Sequence, residues 1–272
     1  MSRLVRVDLS PTDYIHVPQA PRIERRPIFS RGPGNEWQMW GVYGVNDAGE
    51  RVGLSNHTWS HLDAPFHLLA SGASFDRLDP RNYLALRTRV VELAHSGPER
   101  RETVHDVDYH SRIDLPDLPE DLEGFDAVLF ATGFSALYRR RYPMSDGADA
   151  HYPNVTADAA RCLAGVRTLK VAAIDAPSFD KPDTGAIAHR ILLGRQPEPV
   201  LLLETLTIER LRRQYGAALP REMLLTVEPL RALGSVRQDG ALASVYAWAP
   251  QPGHEAFFSE FTEAMRSAAL QS

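Results

Sequence analysis

The chain has 272 residues, 43% of them hydrophobic and 24% charged, a composition that suits a folded globular protein with a sizeable core. A formal net charge of -5 removes any general attraction to nucleic acid or to an anionic membrane surface, and no run approaches the roughly 18 apolar residues a membrane helix needs. The opening MSRLVRVDLS places Arg3, Arg6 and Asp8 where a secretory leader would be apolar, which predicts a cytoplasmic protein.

In chain order, residues 4 to 9 (LVRVDL) alternate as a half-buried strand, and Ser10 and Pro11 end it. Prolines, glycines and arginines between 18 and 35 suggest a surface arm. QMWGVYGV at 38 to 45 reads as a strand, and NDAGE as the turn of a hairpin returning through RVGLSN. RTRVVELAH at 87 to 95 predicts a strand, and the charged stretch 96 to 110 a loop in which His95, His105 and His110 are solvated. LPDLPEDLEGF allows one short helix, and DAVLFATGF at 126 to 134 predicts a buried strand entering a Thr-Gly turn. A long polar loop, 139 to 155, follows, with three consecutive arginines that suit a solvated face.

Thr156 is the expected N-cap of a helix ADAARCLAG that stops at Gly165. Cys162 lies in that helix and is the chain's only cysteine, so no intrachain disulfide forms; the reading is a buried, inert thiol. Strands are predicted at 168 to 175, 199 to 204, 223 to 227 and 241 to 249, with a helix near 207 to 216 starting at Thr207. Residues 254 to 270 put Phe257, Phe258, Phe261, Ala264, Met265 and Ala268 on one stripe of a last helix. About eight strands and three or four helices, with no repeat and no evident linker, predict a single mixed α/β domain over 1 to 272.

The strongest chemical signal is HTWSHLDAPFH, which puts His57, His61, Asp63 and His67 within eleven residues. Imidazole with carboxylate is the ligand set of Zn2+, Mn2+ and similar ions. A straight strand would hold the His57 and His61 backbones about 13 Å apart, too far for one ion. A turn running into an extended piece, broken by Pro65, aims His57, His61 and Asp63 inward and leaves His67 either beyond the ion or on it. No G-x-S-x-G elbow offers a competing serine nucleophile.

This stretch resembles the H-x-G-T-H-x-D-x-P-x-H signature of the cyclase-like metal-dependent hydrolases, the family of bacterial kynurenine formamidase and isatin hydrolase. The resemblance extends in order through VDLS, Thr132-Gly133-Phe134, VTADAARCLAG, IDAPSFD, AHRILL, LLLETL and EPLRALGS, nearly the whole chain. It implies a swivelling β/β/α fold and a homodimer or homotetramer. It implies that His57, His61 and Asp63 bind metal, that His67 is the acid and base, and that His189 and Glu204 complete a site for one or two Zn2+ or Mn2+ ions. Glu198 is the weaker substitute for Glu204, because the segment GRQPEP lengthens the gap after His189.

The signature's Gly and Thr are Trp59 and Ser60 here, a change expected to alter substrate shape more than metal binding. Trp59, Phe66 and Phe134 are candidates for an aromatic pocket or plain core, and Asp175 and Ser178 for site or turn residues. The implied activity is hydrolysis of a small aromatic or cyclic amide, lactam, N-formyl amide or lactone. The alternatives are a non-hydrolytic cyclase or dehydratase and a non-catalytic metal- or ligand-binding protein.

Overall fold

A computed structural model describes residues 4–10, 24–29, 39–45, 51–55, 57, 59–94, 96–140, 152–181, 184–216, 218–229, 238–251 and 253–271. Fifteen strands and four α-helices occur among them. Strand β1 is Leu4–Asp8, followed by β2 (Glu24–Phe29), β3 (Met39–Val45), β4 (Arg51–Ser55) and the short β5 (His61–Asp63). Then come β6 (Leu86–Glu92), β7 (Arg101–Val104), β8 (Val107–His110), β9 (Arg112–Ile113), β10 (Ala127–Ala131) and β11 (Asn154–Val155). Helix α1 (Ala157–Gly165), β12 (Val171–Ile174), α2 (Ile187–Leu193), β13 (Leu201–Glu204) and α3 (Glu209–Tyr215) lead to β14 (Glu222–Pro229), β15 (Gly240–Pro250) and α4 (Glu255–Gln271).

The main sheet runs β1-β15-β14-β6-β10-β12-β13-β5, and β5 also pairs with β15, so seven of the eight strands close on themselves as a barrel. The centre of the sheet, β6-β10-β12-β13, is parallel, whereas β14 and β15 are antiparallel to their barrel neighbours and β5 is antiparallel to both strands it joins. The parallel strands AVLFA, VAAI and LLLE are buried at every position, which follows from cover on both faces. Alternate residues therefore serve two cores. Leu129, Val171, Ala173, Leu201 and Leu203 fill the barrel with Leu62 and Val245. Val128, Phe130, Ala172, Ile174 and Leu202 face outward against Leu163 of α1 and Leu192 of α2.

Helix α1 begins at Thr156, whose Oγ1 accepts from the Ala159 amide at 3.4 Å, and its last residue is Gly165. Cys162 is exposed, contrary to the sequence reading, because Ala159, Ala160 and Leu163 form the buried face and residue 162 falls outside it. Helix α3 starts at Glu209, two residues after the expected Thr207, and buries Leu211 in the barrel core. On α4, Phe258 packs against Ala85 and Leu224, and Phe261 lies 5.8 Å from the Trp248 ring; Ala264, Met265 and Ala268 are exposed, so only part of the predicted stripe is covered.

The stretch read as a charged loop, 96 to 110, contains the hairpin β7-β8. Its two-residue turn, His105 and Asp106, takes positive φ at both positions, as hairpin twist demands, without the Asn-Gly pair that would have announced it. His105 is exposed as expected, but His110 is completely buried: its amide donates to the Thr132 carbonyl, tying the hairpin to the turn after β10. His95, most of the polar loop at 141–151, the 46–50 turn and much of the 18–35 arm lie outside the described residues, although 24–29 of that arm form β2, paired with β3. No helix of the described residues is long and apolar enough to cross a membrane.

Candidate metal centre

Among the described residues of the cluster predicted at 57 to 67, His57 lies in a turn and Trp59 and Ser60 in a bend, three extended residues follow, and then one 3-10 turn, Pro65–His67, opened by the proline. In β5 the side chains alternate. Leu62 enters the barrel core, so His61 and Asp63 point outward, to the side that α2 covers. His61 faces Glu204 across the β13–β5 pairing, and Gly240 faces Asp63 across β15–β5. The site is thus built on the seam where the barrel closes.

Asp63 lies at its centre and is completely buried. His57 Nδ1 is 2.9 Å from Asp63 Oδ1, His61 Nε2 is 3.4 Å from the same oxygen, and His189 Nε2 is 3.3 Å from Oδ2. Glu204 reaches His61 Nε2 and His189 Nε2, both at 3.2 Å, and its Oε1 also accepts from the Phe179 amide at 2.8 Å. His189, on α2, is the residue that closes the cluster from the helix layer. All six residues expected from the sequence come together, since His67 packs its ring on His57 with centroids 4.4 Å apart. Glu198 instead is exposed.

Two carboxylates that the sequence reading passed over hold the imidazoles from behind. Asp180 Oδ2 accepts from His189 Nδ1 at 2.7 Å, while the same carboxylate accepts from the amides of Ala188 and His189. Asp239 Oδ2 contacts both His57 Nε2 at 3.0 Å and His67 Nδ1 at 3.1 Å. Asp180 lay in the recognised IDAPSFD segment. Asp239 had only an Asp-Gly before a strand to mark it, a pair that reads as a turn.

The replaced signature positions are tied to their neighbours. The Ser60 hydroxyl donates to the Thr205 carbonyl at 2.9 Å, and the Trp59 carbonyl takes His61 Nδ1 at 2.6 Å, with the indole half-buried. Of the other candidates, Phe134 packs in the outer core against Tyr109, Tyr138 and Tyr152. Asp175 is a buried structural anchor that accepts from Thr132, Gly133 and Ser135. Ser178 Oγ accepts from the Asp180 amide within its own turn.

The donor set fits a cation. Both Asp63 oxygens are buried and lack a hydrogen bond of good geometry despite three imidazole nitrogens nearby. His57, Asp63 and His67 on one side, and His61, Asp63 and Glu204 on the other, each offer ligand atoms within 4.8 Å of one another. Gly240 leaves the space: a Cβ there would lie 2.8 Å from His57 Cε1 and 3.2 Å from Asp63 Oδ1.

The titration pattern agrees with that donor set. Burial opposes charge on His57, but Asp239 and Asp63 overcome it and push its pKa up to about 10. Burial is likewise outweighed at His189, where Glu204, Asp180 and Asp63 hold the imidazolium well above the ordinary range. Asp63, Glu204 and Asp239 stay ionised at low pH because the surrounding imidazoles outweigh their own desolvation. His67 goes the other way, since burial dominates and lowers its pKa. In the absence of metal, protons on His57 and His189 supply the positive charge this group of carboxylates calls for.

Residues 7–181 match the model of the family described as "Putative cyclase". The chain belongs to the Cyclase family. Solved structures with the same fold include one titled a potential metal-dependent hydrolase with cyclase activity, 21% identical, covering 92% of this chain and 100% of its own, at a TM-score of 0.55. Isatin hydrolase A from Ralstonia solanacearum is 19% identical over 90% of this chain and 92% of its own, at 0.59. Isatin hydrolase A from Labrenzia aggregata, bound to benzyl benzoate, is 20% identical over 92% and 95%, at 0.56. Curated protein sequences give no significant match. In this family member, the matched segment contains 57 to 67 and Asp180 but ends before His189, Glu204 and Asp239, which the fold itself brings in.

Proposed function

We propose that this protein is a metal-dependent hydrolase of a small aromatic or cyclic amide, lactam, N-formyl amide or related lactone. The observation that carries the proposal is the buried Asp63 carboxylate, without a hydrogen bond of good geometry and ringed by His57, His61, His189 and Glu204. His57, His61 and Asp63, completed by His189 and Glu204, would hold one or two divalent ions, Zn2+ or Mn2+. When bound, such an ion polarises a carbonyl oxygen and makes water a competent nucleophile near neutral pH.

The chain's own residues do the rest. His67, kept neutral at pH 7 by burial, takes a proton from the attacking water and returns it to the leaving nitrogen or oxygen. Burial of His61, Asp63, His67, His189 and Glu204 limits bulk water. Kinship with isatin hydrolase supports a carbon-nitrogen bond as the target and an aromatic substrate. A cytoplasmic location and a homodimer or homotetramer belong to the same reading.

The test is metal analysis of the purified protein together with a parallel screen of isatin, N-formylkynurenine and simple aryl lactones, using wild type and His67→Ala. We expect a stoichiometric divalent ion, turnover of at least one ring or amide, and a loss of about 100-fold or more in kcat for His67→Ala with metal content retained. A protein that neither binds nor responds to a divalent ion sinks the proposal. Loss of metal in His67→Ala would reassign that residue as a ligand.

A further inference from the structure

Asp239 is completely buried on the first turn into β15, and a single oxygen, Oδ2, receives Nε2 of His57 at 3.0 Å and Nδ1 of His67 at 3.1 Å. Its backbone is fixed to the same segment it serves: the Ala64 amide donates to the Asp239 carbonyl at 2.8 Å, and Phe75 does the same to Gln238. The next residue, Gly240, pairs with Asp63. The backbone that carries this carboxylate is therefore tied to the strand pairing that carries Asp63.

Imidazole has two nitrogens, and a carboxylate that takes the N–H of one decides what the other can do. At His67, Nδ1–H donating to Asp239 leaves the lone pair on Nε2. At His57, engagement of Nε2 leaves Nδ1 turned to the Asp63 side, where it lies 2.9 Å from Oδ1. We propose that Asp239 is a positioning residue that sets the tautomer of His67 and the ring orientation of His57 through one shared oxygen, so that the base and a metal ligand are aligned together. This rests on His67 being the base. Two imidazoles stacked at 4.4 Å, 29° apart, are held in register by that oxygen.

The experiment is two-bond proton–nitrogen correlation NMR on protein labelled with 15N-histidine, metal-free and zinc-loaded, for wild type, Asp239→Asn and Asp239→Glu. Wild type is expected to show His67 as the Nδ1–H tautomer. In Asp239→Asn, the His67 signals should shift toward the Nε2–H form or an exchanging mixture. Zinc affinity should fall about 10-fold to 100-fold through His57. On any substrate the protein turns over, kcat should fall at least about 100-fold with KM within about 3-fold; Asp239→Glu should recover part of the tautomer bias.

A wild-type His67 protonated on Nε2 overturns the proposal without any variant, which covers the case in which the variants do not fold. An unchanged tautomer in a folded Asp239→Asn also overturns it. Because the tautomer is read without substrate, failure of the hydrolase reading would show in the turnover screen alone and would leave this result standing.

Discussion

At the scale of single residues, the site depends as much on what is missing at Gly240 as on what is present at Asp63. An added methyl at Gly240 meets His57 Cε1 at 2.8 Å and the Leu62 carbonyl at 3.0 Å, closer than carbon normally approaches, and Leu62 is fixed by strand pairing. Gly240→Ala should therefore push the His57 ring off the Asp63–Asp239 line. We expect a loss of about 1 to 3 kcal/mol in stability, as for other overpacked sites, and a weaker metal titration, read by denaturant melts and calorimetry. Wild-type stability together with wild-type metal affinity would contradict this.

The residue scale is also where sequence reading worked and where it stopped. The window 57 to 67 was legible because its ligand types are unusual and crowded, and the turn, extended piece and proline could be worked out from reach alone. His189 and Glu204 were legible only by resemblance, and the covered end of β13 explains why Glu204 rather than Glu198 enters the site. Asp239 was not legible, since an aspartate before a glycine has a local explanation that requires no partner 172 residues away.

Among the elements, α2 shows how a seven-residue helix is made to place His189 in the cluster. Its N-cap, Ala186, has no side-chain oxygen to offer, so the first turn takes its acceptor from Asp180, six residues before. The carboxylate that caps the helix also holds His189 Nδ1 at 2.7 Å and accepts from the Thr184 hydroxyl at 2.9 Å. Helix start and imidazole orientation thus share one group. Asp180→Asn keeps the shape but loses the charge and one accepting oxygen. It should lower stability by roughly 1 kcal/mol as a weakened cap and cut metal affinity about 10-fold to 100-fold through His189. Thermal melting and zinc titration measure the two effects separately. Unchanged affinity with reduced stability would leave His189 outside the metal shell. At this scale the apolar runs at 127 to 131, 171 to 174 and 201 to 203 announced strands, while their parallel pairing was not read from the sequence. The β7-β8 hairpin escaped because its turn uses His-Asp in place of glycine or asparagine.

Considered as a whole molecule, the barrel closes where β5, only three residues long, bridges β13 and β15, and the ionisable cluster sits on that seam. Folding and metal binding are therefore linked. In the metal-free protein, His57 is raised to about 10 and His189 well above the ordinary histidine value, so the folded form holds protons that the unfolded chain releases near pH 6.5. Groups raised in this way contribute stability that is fully present below about pH 6.5 and is lost as pH climbs toward about 10. Asp63, Glu204, Asp180 and Asp239 are lowered, so their contribution holds above about pH 4 and fades in acid. Chelated protein should accordingly be most stable in mildly acidic solution and melt at progressively lower temperature from pH 7 to 10.

A divalent ion must displace the His57 and His189 protons, so its affinity should rise over the same alkaline window. At about 100 times Kd it adds about 2.7 kcal/mol, worth roughly 5 to 10 °C in Tm for a chain of this size. Melting curves of chelated and zinc-loaded protein should then diverge as pH rises from 6.5 to 9. Parallel curves across that range would show that the cluster's protons and the ion do not compete for the same nitrogens.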